Sequence, residues 1–199
     1  MRRTLLALLV LLGAGVIASR FVPKIVSITV TGNSHYDDQR ILRLARVQLG
    51  DPLLWVTRGS VSELANDPWI HSLGVVRVWP DELHITVVER QAALTDGSTT
   101  WALDGTVLTG ASQVETASLP LLQGWGSPRT TEALELLRLL GPFEPQVISF
   151  SPEGFEIQLT GTTLFTPSAE VLRQQWSAFI DQRGKHVSVY PWGVSSTDE

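Results

Sequence analysis

Leu73-Gly74-Val75-Val76-Arg77-Val78-Trp79, Pro80-Asp81-Glu82, then Leu83-His84-Ile85-Thr86-Val87-Val88-Glu89-Arg90: this stretch decides the fold. The first seven residues are rich in β-branched and aromatic types, the composition of a strand. Proline fixes φ and Asp favours turns, so Pro80-Asp81-Glu82 interrupts it. Leu83, Ile85 and Val87 then alternate with His84, Thr86 and Val88. Alternation with period two reads as a strand with one face buried, which places His84 on the solvent face. The whole is a β-hairpin, preceded by a short helical stretch that Pro68-Trp69-Ile70 closes.

Further upstream, Ile25-Val26-Ser27-Ile28-Thr29-Val30 alternates in the same manner and stops at the turn signal Gly32-Asn33. Asp37 or Asp38 can cap a helix whose apolar positions Ile41, Leu42, Ala45 and Leu49 recur at helical spacing, and Gly50-Asp51-Pro52 ends it. Leu53, Leu54, Trp55 and Val56 read as a buried connector. A second helix over about Arg58 to Asn66 carries Val61, Leu64 and Ala65 inward. Strand, helix, helix, strand, strand is enough for a small two-layer core, with the helices on one face of the sheet.

This order and these residues resemble a POTRA domain, and more closely the bacterial cell-division family FtsQ/DivIB. The likeness is carried by Val30-Thr31-Gly32-Asn33, Gly50-Asp51-Pro52-Leu53, Asp67-Pro68-Trp69-Ile70 and Val76-Arg77-Val78-Trp79-Pro80-Asp81-Glu82-Leu83. It closes at Ile85-Thr86-Val87-Val88-Glu89-Arg90. The resemblance implies an α+β architecture: an N-terminal transmembrane helix, one POTRA domain of β-α-α-β-β order over 25–90, and a mixed, mostly β domain with two helices over 91–194. Trp69, Trp79 and Pro80 are read as core and turn residues of that fold.

The N-terminus agrees on physical grounds. Leu5 to Ala18 contains no polar side chain and follows Arg2 and Arg3. Fourteen helical residues reach about 21 Å, short of a hydrocarbon core of about 30 Å, whereas Thr4 to Val22 reaches about 28 Å. Arg20 can snorkel to the headgroups. The competing reading is a cleaved signal peptide, with Val16-Ile17-Ala18 as its cleavage context. A retained anchor over 5–22 is preferred, since the family keeps one. The bias in flanking basic residues is slight. Size therefore decides the orientation: 1–4 is a short cytoplasmic tail and the remainder is translocated, as a single-pass type II protein of the cytoplasmic membrane.

Composition removes several function classes. Setting aside Arg2, Arg3, Arg20 and Lys24 leaves 11 basic and 20 acidic side chains, a net charge near −9. Phosphate backbones repel such a surface, which disfavours nucleic-acid binding. Arg40, Arg43 and Arg46 share a helical face and read as solvated. With no cysteine there is no disulfide framework and no thiolate site. His35, His71, His84 and His186 lack paired zinc-ligand spacing, and no phosphate loop, nucleophile elbow or Ser-x-x-Lys element occurs. Seven tryptophans could suggest glycan stacking, but they are dispersed and most fall in apolar strand positions, which favours core packing. The chain is read as a non-enzyme with no cofactor, no metal and no small-molecule substrate.

In the second half, Trp101 to Leu108 reads as a hairpin turning at Asp104-Gly105. Leu119 to Gly124 resembles the short apolar strand ending in glycine that the family carries. Thr130 or Thr131 can cap a helix with Leu134, Leu137 and Leu140 inward, stopped by Gly141-Pro142. Strands follow at Val147 to Phe150, Phe155 to Leu159 and Thr162 to Phe165, then a helix from about Ser168 to Arg183. Val187-Ser188-Val189-Tyr190 is read as the last strand and 195–199 as a frayed tail.

The resemblance implies a divisome scaffold that binds other single-pass division proteins of the FtsB/FtsL type at the septum. An edge strand is a physical carrier for such binding, because its unpaired backbone groups accept an added strand. The family's partner docks near a final strand with a Tyr-x-x-Gly pattern, which Tyr190-Pro191-Trp192-Gly193 matches. Val187, Ser188, Val189, Tyr190 and Trp192 are therefore the candidate partner-binding residues. Family members commonly carry Asp-Leu-Arg before that tyrosine, where Val187-Ser188-Val189 stands here. The alternative is a chaperone-like or cell-wall-binding POTRA module.

Overall fold

The computed structural model describes residues 23–57, 59–124, 129–182 and 184–198. The chain divides into two compact units, Met1–Arg90 and Gln91–Glu199, each around its own hydrophobic core. The expected anchor over 5–22 lies outside the described residues. Among the described residues, no helix is long and apolar enough to cross a membrane.

In the first unit the strands are β1 (Ser27–Thr31), β2 (Ile70–Val78) and β3 (Glu82–Glu89). They form one sheet in the order β1-β3-β2, with β1 parallel and β2 antiparallel to β3. Helices α1 (Asp38–Ala45) and α2 (Ser62–Ala65) and a 3-10 turn at Leu53–Trp55 complete the β-α-α-β-β order. As the alternation predicts, Leu83, Ile85 and Val87 are buried, with Ile41, Ala45 and Leu64 of the helices packed in the same core. Gly32 makes the turn after β1 at φ +85°. A Cβ there would lie 2.1 Å from the Val87 carbonyl oxygen, so no side chain fits.

Local chemistry sets the helix limits. The Asp37 carboxylate accepts the Arg40 N–H at 2.6 Å, a cap worth about 1 kcal/mol. Arg46 then takes a left-handed conformation and donates its N–H to the carbonyls of Leu42 and Arg43, which ends α1 at Ala45, well short of Gly50. Leu49 consequently falls off the helix and is 63% exposed, contrary to its periodicity. The connector is only half buried: Leu53 and Val56 point inward, whereas Leu54 and Trp55 face solvent. The second helix is shorter than its composition suggests, because Thr57 and Ser60 first close a turn on each other.

The second unit is a nine-stranded sheet in the order β12-β11-β10-β9-β8-β7-β4-β5-β6. Its strands run from β4 (Ala92–Thr95), β5 (Thr100–Ala102) and β6 (Val107–Leu108) through β7 (Leu121–Gly124), β8 (Val147–Ser151), β9 (Gly154–Leu159) and β10 (Thr162–Thr166) to β11 (His186–Tyr190) and β12 (Gly193–Thr197). Parallel neighbours need a crossover. Helix α4 (Thr130–Leu140) supplies it between β7 and β8, and α5 (Ala169–Gln174) with α6 (Trp176–Ile180) between β10 and β11. Leu134, Leu137 and Leu140 are buried as expected, joined by Ala133 and Leu136. Arg129, not a threonine, precedes the first turn of α4, and it makes no side-chain cap.

Four features depart from the sequence reading. A capping box between Ser112 and Glu115 nucleates a short helix, α3 (Gln113–Thr116). The expected helix over Ser168 to Arg183 breaks at Gln175, so the described residues of this unit hold four α-helices and a 3-10 turn at Gly141–Phe143, not two helices. Ala92–Thr95 forms a strand that the composition did not mark. Finally, the sheet does not end at Tyr190: Ser195 to Thr197 belong to β12 rather than to a frayed tail.

Candidate partner-binding edge

The C-terminal hairpin is built on β10. Strand β11 pairs with it in parallel, Leu164 opposite Val187, and turns through Pro191-Trp192 into β12. Val187 and Val189 point toward α5 and α6 and are buried, Val189 completely. Both sides of β11 are paired, so this strand is interior. The edge expected at Val187–Tyr190 is corrected to Gly193–Thr197, one strand further out. Val187, Ser188 and Val189 supply the floor on which that edge lies, while Tyr190 and Trp192 flank it.

The register Tyr190↔Gly193 across a two-residue loop makes that pair the closely bonded one, which turns the N–H groups of Val194 and Ser196 outward. Ser195, Ser196 and Thr197 are exposed. On the sheet face away from the helices, Phe165, Tyr190 and Trp192 form a ladder of rings. Their centroids are 5.8 Å apart for Phe165–Tyr190 and 5.1 Å for the stacked pair Tyr190–Trp192. Trp192 is 82% exposed. Two side-chain contacts hold the hairpin to the crossover: the Gln175 amide donates to the Pro191 carbonyl at 3.0 Å, and the Ser196 hydroxyl to Gln182 at 2.9 Å. Gly184 is required by close approach, since a Cβ there would sit 2.9 Å from the Ser196 Cβ and 3.1 Å from the Thr197 backbone.

The first unit closes on a carboxylate. Glu89, at the end of β3, accepts the backbone N–H groups of Ser34 and His35 at 2.6 Å each, that of Tyr36 at 3.2 Å, and the Ser34 hydroxyl at 2.9 Å. Partial burial pushes its pKa up, but these four donors outweigh burial and hold it below the ordinary carboxylate value. Beside it, Trp69 stacks on His35 with centroids 3.5 Å apart, and the Tyr36 hydroxyl donates to Asp67. Burial, reinforced by the Asp67 charge, pushes the Tyr36 phenol up to about 12. Trp69 is buried as expected; Trp55 and Trp79 are not, which corrects the assignment of the dispersed tryptophans to the core.

Comparison with known proteins bears on the first unit and on the chain as a whole. Residues 24–90 match the family model described as a POTRA domain, FtsQ-type. The first unit is a POTRA domain of the FtsQ type, and the chain as a whole is similar to cell division proteins of that type. It is 30% identical over 169 residues to the cell division protein FtsQ of Anaeromyxobacter sp. (strain K), a match covering 75% of this chain and 56% of that relative. It is 32% identical over 133 residues to the cell division protein FtsQ of Bradyrhizobium diazoefficiens, covering 64% and 38% respectively. The chain thus spans about half the length, or less, of these curated relatives. It presents the POTRA unit and, after it, a sheet ending at β12.

Proposed function

We propose that this protein is a non-enzymatic scaffold of bacterial cell division. It is held in the cytoplasmic membrane by Thr4 to Val22, with both described units outside the cytoplasm. It captures another single-pass division protein of the FtsB/FtsL type at the β12 edge. The observation that carries this reading is the position of β12 at the end of the sheet, with outward donors at Val194 and Ser196 and an exposed aromatic ladder beside them. An extended partner segment gains several main-chain hydrogen bonds there, each worth about 0.5–1.5 kcal/mol net. Tyr190 and Trp192 add the aromatic anchoring that tends to dominate interfaces. No charged side chain stands at the Val187-Ser188-Val189 positions, so recognition rests on backbone and rings.

The test is titration of the full chain in detergent with the extracytoplasmic segment of the candidate partner. Trp192→Ala, at an exposed position, leaves the circular dichroism spectrum unchanged and weakens binding about tenfold or more, equivalent to about 1.4 kcal/mol. Ser196→Pro removes one outward donor and acts in the same direction. Affinity varies little between low and high salt, because no exposed ion pair is involved. Unchanged affinity in both folded variants moves the partner site away from β12.

A further inference from the structure

Trp55 and Trp79 are 67% and 61% exposed, and Leu54 is 43% exposed. The fold makes no use of these side chains, yet all three lie where the chain enters the first unit. The Leu53 N–H donates to the Pro23 carbonyl at 2.9 Å, and Lys24 bridges to Pro52. On the other side, the Val26 N–H donates to the Asp81 carbonyl at 2.8 Å, two residues beyond Trp79. The Arg77 guanidinium joins the two flanks by donating to the Leu54 carbonyl at 3.3 Å.

Pro23 is thus already part of the folded unit. If Thr4 to Val22 spans the bilayer, no linker remains between the membrane and this end of the unit. We propose that Trp55 and Trp79, with Leu54, rest in the lipid headgroup region and fix the POTRA unit against the membrane surface. This rests on the anchor reading above. Indoles prefer that region because the ring is apolar and its N–H is satisfied by headgroups or water. Two basic residues, Lys24 and Arg77, and two acidic ones, Asp51 and Asp81, whose carbonyls accept the Ile25 and Val26 N–H groups, share this end of the unit, so the contact is one of apolar insertion and requires no anionic lipid.

The experiment uses the full chain reconstituted in phosphatidylcholine vesicles, a fraction of whose lipids carry bromine on the upper acyl chain. The expected results are retention of the protein on the vesicles through a carbonate wash, quenching of tryptophan emission by the brominated lipid, and loss of most of that quenching in W55F/W79F. Quenching is unchanged by added salt. Circular dichroism of W55F/W79F controls for folding. If the protein stays on the vesicles but bromine does not quench it, while aqueous iodide reaches both indoles, the surface contact is wrong and the anchor stands. Quenching that persists in the double variant comes from other indoles and also overturns the contact. If the protein washes off, the anchor reading fails and the contact fails with it.

Discussion

Glu89 gathers donors from three successive residues of the β1–α1 loop, and its worth depends on its charge. Glu89→Gln keeps the shape but replaces one acceptor oxygen by an NH2 that faces N–H groups. At neutral pH the variant is expected to lose about 1–3 kcal/mol, the range for bonds to a charged acceptor, measured by urea denaturation. The pH dependence has a definite sign. A carboxylate whose folded pKa is depressed contributes stability that is complete above its unfolded value, near 4.3, and is lost as pH falls through the folded value. The gap between parent and variant therefore narrows on acidification below that range. Tyr36 gives the converse case: its phenolate absorbance appears near pH 12, and Tyr36→Phe removes that late step. The sequence showed Glu89 only as the last letter of a strand, because its partners lie more than fifty residues away. Trp55 and Trp79 misled for a related reason: apolar character marks a side chain as a candidate for the core, and only the finished core decides whether it is covered.

At the scale of elements, the hairpin β2–β3 and helix α4 were legible because each carries its own period and its own stop signal. Strand β12 was not. Gly193-Val194-Ser195-Ser196-Thr197 has little apolar content to alternate, and it is a strand because β11 lies beside it and Pro191-Trp192 reverses the chain. The candidate site inherited the same error: the Tyr-x-x-Gly pattern located the hairpin, but not which of its two strands is free. Gly184 tests the dependence. Gly184→Val places side-chain atoms against Ser196 and the Thr197 backbone, so the distal end of β12 is expected to separate from β11. Amide hydrogen exchange reads this as loss of protection at Ser196 and Thr197 while Val187 and Val189 stay protected, with partner affinity falling in parallel.

At the scale of the whole molecule, the described residues form two cores with no buried residue in common. Two unfolding transitions are expected in calorimetry, and substitutions should sort between them. Trp69→Ala lowers only the first unit's transition and Phe155→Ala only the second's, each by about 3–5 kcal/mol of unfolding free energy. A single transition displaced by both substitutions would show that the two units unfold as one. The division itself was readable from the change of pattern at Arg90, since each half carries enough apolar positions to close a core of its own.

The β6 strand is two residues long, whereas β12, at the opposite end of the same sheet, is five. That asymmetry bears on how copies of this protein could polymerise. A sheet with two long free margins can stack end to end without limit, each molecule's last strand seeding the next one's first. Here the far margin offers too little backbone to receive a neighbour's β12, so edge addition is one-sided and stops after a single step. Even at high local density the protein can therefore keep one margin open for another chain without growing into a fibre through that margin.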